Sequence, residues 1–167
     1  MPVTPANTIK RSTPRESRRL ARLTAVQALY QADVMQQSAV LVLKEFEAHR
    51  LQTIGAHKWL HDAESGERLG SVDVMLMRDV VALALQHRAT LEELLAKNLP
   101  KDWPLHRLEK PLLMILLAGA AEIYQRADTP AALIINDYVD IAHAFYEGKE
   151  PGLVNAILDT IAKTLRG

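Results

Sequence analysis

Between Pro111 and Ala121 the chain carries no charge, and from Leu112 to Ile123 apolar residues occupy nearly the whole circumference of a helix. A helix that is apolar on every side has no face to give to water, so other elements must enclose it. This one segment predicts a central buried helix, with Pro111 in its first turn or kinking it. The run is too short to span a bilayer, and the N-terminus lacks the apolar stretch of a signal peptide. The sequence downstream supplies partners for it. After Thr129-Pro130, read as a cap and an N1 proline, Ile134, Ile135, Tyr138, Ile141, Ala142 and Phe145 keep helical spacing. Gly148 is expected to close that helix as its C′ residue. Pro151 opens a last helix, with Val154, Ile157, Leu158, Ile161 and Leu165 inward. Each fully buried Leu or Ile contributes roughly 1.5–3 kcal/mol, so three such helices can supply the main core.

The first half is expected to add more helices. One runs from about Arg15 to Gln36, with a small-residue stripe of Ala21, Ala25, Ala28 and Ala32 beside a bulkier one of Leu20, Leu23, Tyr30 and Val34. Ser38 is placed to cap a second helix over residues 39–51. Residues 52–70 contain three glycines and read as a long connection. A third helix is expected from Ser71 to about His87. Thr90 and Glu93 have capping-box spacing and open a fourth that ends near Leu99, before Pro100 and Pro104. Residues 1–14, with three prolines, read as a disordered basic tail. Only seven glycines and no strand pattern accompany a 49% hydrophobic composition, so the fold class is all-α.

Overall neutrality hides an asymmetry. Residues 1–22 hold six basic side chains against Glu16 alone, a net of +5 that the other 145 residues offset. Arg15, Arg18, Arg19 and Arg22 share one arc of the first helix, and that arc turns into Val26 and Leu29 one turn later. The helix start is therefore expected to protrude while its second half is buried. Cations oppose the positive end of a helix dipole, and phosphates would relieve that opposition by meeting the arginines and free backbone N–H groups together. The competing reading is a solvated helix start. Farther along, Tyr30 can stack a base and Gln27 can read one, though both residue types also serve packing and surface.

Other chemistry finds little support. No glycine loop suited to phosphate is present, and cysteine is absent, which removes disulfides and thiolate nucleophiles and agrees with a reducing compartment. His57 and His61 have helical metal-ligand spacing but lack an evident third ligand. Glu122, inside the most apolar helix, reads as a buried carboxylate with a polar partner or, less simply, as a catalytic acid. No cofactor is expected.

Four segments then carry a resemblance. Ala21-Arg22-Leu23-Thr24-Ala25-Val26-Gln27-Ala28-Leu29-Tyr30 resembles the opening helix of the bacterial NusB transcription antitermination family. Leu108-Glu109-Lys110 with residues 115–123, Ile134-Ile135-Asn136-Asp137-Tyr138-Val139, and Leu153-Val154-Asn155-Ala156-Ile157-Leu158-Asp159 resemble later family motifs in the same order. The resemblance spans about Arg18 to Ala162 and is weakest between residues 38 and 105. It implies a compact fold of about seven helices in two packed bundles. Residues 15–167 would form one domain, with subdomains of roughly 15–103 and 104–167. It also implies a non-catalytic cytoplasmic protein that binds boxA-type single-stranded nascent RNA, chiefly ribosomal RNA leaders. The partners implied are the ribosomal protein NusE and an RNA polymerase complex with NusA and NusG. Arg18, Arg19, Arg22, Gln27 and Tyr30 match the RNA-facing positions, Arg15 belongs to the same arc, and Lys149 can extend the track. Glu109 matches a position on the partner-facing side. Leu117, Ala121 and Leu153 depart from residues common in the family. Leu117 is expected to leave Glu122 without one possible partner.

Two other functions remain at this point. A helical adaptor would bind protein only, with the arginines solvated, and a metal-dependent hydrolase would use His57 and His61. NusB-like domains fused to RNA cytosine methyltransferases are a further rival, set aside because no α/β cofactor-binding segment is evident. The resemblance allows either a monomer or a homodimer.

Overall fold

The computed structural model describes residues 13–50 and 72–167. Among these, seven α-helices and no strand are found. They are α1 (Pro14–Met35), α2 (Ala39–Glu45, continued by a π turn over Phe46–Arg50), α3 (Val74–Gln86), α4 (Arg88–Asn98), α5 (Lys110–Gln125), α6 (Ala131–Phe145) and α7 (Glu150–Arg166). A 3₁₀ turn at Leu105–Arg107 leads into α5.

The apolar run does become the centre. In α5, Leu112 and every residue from Met114 to Ile123 are buried, and the helix packs against α1, α3, α4, α6 and α7. Gly119 permits a close approach of α6 and α7. A Cβ there would lie 2.7 Å from Leu158 Cδ1 on α7 and 3.3 Å from Tyr138 Cδ2 on α6. The departures Leu117, Ala121 and Leu153 all face inward and join one continuous apolar core. The alanine stripe of α1 is buried throughout, as its close approach to neighbouring helices requires.

Helix starts follow local hydrogen bonding more than the motifs suggested. Thr13 and Pro14 belong to α1 rather than to a tail. The Thr13 side chain accepts from the Glu16 N–H, and the Glu16 carboxylate accepts from the Thr13 N–H, so the capping box sits here. The expected box at Thr90 and Glu93 lies inside α4, because α4 follows α3 directly through His87. The third helix begins later than Ser71, where Asp73 accepts from the Leu76 N–H. Ser38 occupies an N-cap position but makes no side-chain cap bond. Pro130, not Thr129, is the N-cap of α6, and α6 ends at Tyr146 in extended backbone, leaving Gly148 without the expected closing role. Tyr30, Val34, Phe145 and Leu165 are exposed, which trims the apolar stripes predicted for α1, α6 and α7. Residues 1–12, the connection 52–70, and His57 and His61 lie outside the described residues.

Candidate nucleic-acid interface

The four arginines of α1 separate into two environments. Arg15, Arg18 and Arg19 are exposed, whereas Arg22 is 1% exposed and leaves the expected RNA arc. Its guanidinium donates from Nε and Nη2 to the two carboxylate oxygens of Glu122, at 2.8 and 2.9 Å. Its Nη1 donates to Asp137 Oδ2 at 3.0 Å, and the Tyr138 hydroxyl donates to Glu122 Oε2 at 2.6 Å. Glu122 is therefore well supplied with partners despite Leu117. Burial opposes the charge on Arg22, but the hydrogen bonds and charge of Glu122, with Tyr138 and Asp137, outweigh it and hold the guanidinium protonated. Burial, reinforced by Glu122, likewise raises the Tyr138 hydroxyl well above its usual range. A fork-shaped donor matched to a carboxylate on one side and a second acceptor on the other is the arrangement in which a buried charge is tolerated.

Asp137 is the edge of this cluster. Its Oδ2 is committed to Arg22, while its buried Oδ1 accepts no hydrogen bond and lies 4.0 Å from Arg19 Nε. Burial raises the Asp137 carboxyl from its ordinary value, and Arg22, then Arg19, pull it back. Arg19 also pairs through Nη2 with Asp140 Oδ2 at 3.1 Å, both side chains about half exposed. Arg15 and Arg18 form no ion pair with another described residue. The capping box takes the Glu16 N–H and Pro14 has none, so backbone donors at this helix start are few. Any anion held here meets guanidinium groups rather than a ring of free N–H groups, a correction to the sequence reading.

The remaining candidates fall along two directions from that corner. On α1, Gln27 is half-buried and Tyr30 is exposed. Tyr30 borders a groove of about 380 Å³ with Gln31, Val34, Met35, Gln37 and Glu45. On α6, one turn past Asp140, His143 lines a groove of about 590 Å³ between α6 and α7, shared with Val139, Gly152, Asn155 and the exposed Lys149. Thus α6 joins the arginine corner to Lys149. Asp137, Asp140 and His143 were not found as site residues from sequence. Helical spacing places Asp140 and His143 on one face of α6, but only the contact of α6 with α1 brings Asp140 to Arg19.

Glu109 is exposed at the N-cap of α5, and the neighbouring Lys110 ammonium donates to Asp33 Oδ2 at 2.6 Å. Burial, then Glu109, raises the Tyr146 hydroxyl beside it. Since Arg22 meets Glu122 and Asp33 meets Lys110, α1 and α5 run antiparallel. The arginine corner therefore lies at the C-terminal end of α5, and Glu109 lies at the other end, near Tyr30 and Asp33.

Among the described residues no group of three or more His, Asp or Glu side chains is arranged to hold a metal, and no helix is long and apolar enough to cross a membrane.

Fold and site together define an all-α helical protein with an internal ionic cluster beneath a basic helix start. Comparison with known proteins narrows that class. The NusB family model matches residues 19–163. The transcription antitermination protein NusB of Bradyrhizobium sp. (strain ORS 278) is 39% identical over 161 residues, covering 95% of this chain and 90% of that protein. The NusB protein of Agrobacterium fabrum is 42% identical over 155 residues, covering 92% and 88%. In fold, the chain resembles T. maritima NusB (TM-score 0.67, 24% identity, 91% of this chain and 92% of that one). It also resembles a structure of antitermination factors NusB and NusE in complex with double-stranded RNA (TM-score 0.66, 21% identity, 91% and 99%). The chain belongs to the NusB family, a family of transcription antitermination factors and not of enzymes.

Proposed function

We propose that this chain binds boxA-type single-stranded nascent RNA, as found in ribosomal RNA leaders. It would act with NusE in a cytoplasmic antitermination complex on RNA polymerase that includes NusA and NusG. The observation that carries this reading is the cluster of exposed Arg15, Arg18 and Arg19 at the start of α1, with the fourth arginine turned inward to Glu122 and Asp137. Phosphates are the natural complement of such a cluster, and arginine binds them through planar, paired donors. From there the strand would run along α1 toward Gln27 and Tyr30, where an exposed aromatic ring offers a base a stacking surface. Lys149 adds a second cationic contact on the α6–α7 side. Glu109, at the Tyr30 end of the bundle, faces NusE. RNA and protein partner would then meet near one end of the molecule.

The test is a titration of a boxA-type strand against a scrambled strand, with NusE present and absent. Wild type is expected to prefer boxA and to bind it more tightly with NusE. In the Arg15→Ala/Arg18→Ala variant affinity should fall. If both residues contact phosphate, the slope of log K against log salt should flatten by roughly 1.4, at about 0.7 per contact on single strands. Wild type binding NusE but neither strand would leave a protein-only adaptor in place of this reading.

A further inference from the structure

Arg19 differs from its two exposed neighbours because it is already engaged. Its Nη2 lies 3.1 Å from Asp140 Oδ2, and its Nε lies 4.0 Å from the buried Asp137 Oδ1, which accepts no hydrogen bond. Resting on the RNA reading above, we propose that Asp140 and Asp137 form a carboxylate latch that competes with RNA phosphate for Arg19 and so lowers the affinity of the arginine corner.

The two carboxylates have different parts. Asp137 is fixed, because Arg22 holds its other oxygen inside the core. It sets a carboxylate oxygen behind Arg19 that does not depend on the position of Asp140. Asp140 is about half exposed, and ion pairs of that kind are weak and exchange readily with other partners. A phosphate approaching Arg19 therefore has to displace Asp140 or sit beside it, and like charge opposes the second arrangement. Asp140 lies on α6 between the arginine corner and the groove that holds His143 and Lys149. A strand passing from Arg19 to Lys149 crosses this carboxylate, so the latch weighs on that path. Tyr30, eleven residues along α1 from Arg19, lies roughly 16 Å away along the helix axis. The other path is spared.

Four proteins test the latch: wild type, Asp140→Asn, Arg19→Ala and the double variant, each titrated with boxA-type and scrambled strands over a salt series. Asp140→Asn should bind RNA about two- to fivefold more tightly, the range of an exposed ion pair. Its salt slope should steepen by about 0.7 as Arg19 gains a full phosphate contact. In the Arg19→Ala background the same substitution should change nothing. Equal or weaker binding by Asp140→Asn overturns the latch. So does a gain that persists without Arg19, which would report only the general field of the missing charge. Asp140→Ser serves as a second variant should Asp140→Asn not fold. If wild type binds neither strand, the RNA reading itself fails. If wild type binds and Asp140→Asn matches it, only the latch fails.

Discussion

Arg22 and Glu122 form a charge pair with 1% and 0% exposure, an environment that tolerates neither charge alone. Removing one partner of such a cluster leaves the other charges buried without compensation, and that is where large destabilisation arises. Arg22→Ala is expected to lower stability by about 3–5 kcal/mol in chemical denaturation. Arg22→Lys should recover only part of the loss, since an ammonium cannot span both oxygens of Glu122 and reach Asp137 together. Where the variant remains folded, RNA affinity should change far less than in Arg15→Ala/Arg18→Ala, because Arg22 offers nothing to solvent. Arg22 lies one turn nearer than Arg18 to the apolar Val26, but the charge pattern of α1 alone does not separate them. Both lie on the same arc, and their different fates depend on Glu122, 100 residues away.

Between elements, the second ionic junction is easier to separate from the core. Asp33 on α1 accepts from Arg88 Nη1 on α4 at 2.9 Å and from Lys110 Nζ on α5 at 2.6 Å. The Lys110 hydrogen bond, opposed by burial and aided by Arg88, holds the Asp33 carboxyl below its ordinary value of 3.8. For a depressed carboxylate, the stabilisation is present above the unfolded value and is lost as pH falls through the folded one. Asp33→Asn should therefore reduce stability at neutral pH by on the order of 1 kcal/mol. The gap from wild type should hold down to about pH 5 and then close in more acid solution. A gap unchanged across an acid titration of the two proteins would show that the charge on Asp33 contributes nothing. The helices themselves were legible from apolar spacing, and the central one most clearly. Their ends were not. A capping pattern stabilises a helix start only where the chain has room to begin one, as at Thr13, and Thr90 lies within a helix that has already begun.

At the scale of the molecule, the antiparallel packing of α1 on α5 sets the arginine corner at one end and Glu109 at the other, with Tyr30 near the Glu109 end. If NusE docks there while RNA runs along α1, the two ligands share a boundary and each should tighten the other by the same factor. Glu109→Lys should weaken NusE binding in calorimetry, and the loss of cooperative RNA binding should match it, with RNA binding by the free protein nearly unchanged. Heterodimer affinity equal to wild type would remove Glu109 from the partner face. The family was readable from four short segments, because those segments build α1, α5, α6 and the start of α7, the helices around the shared core.

The sequence by itself determined that this chain is helical, that residues 112–123 lie at its centre, and that positive charge gathers at its first helix. Those properties follow from spacing and composition within single segments, where a helix of 3.6 residues per turn fixes which side chains share a face. Only the tertiary structure decided which arginine is internal, that Asp137 and Asp140 stand against Arg19, and that α6 links the arginine corner to Lys149. Each of those depends on the approach of helices far apart in the chain, and the energy of a charge depends on what surrounds it rather than on its neighbours in sequence.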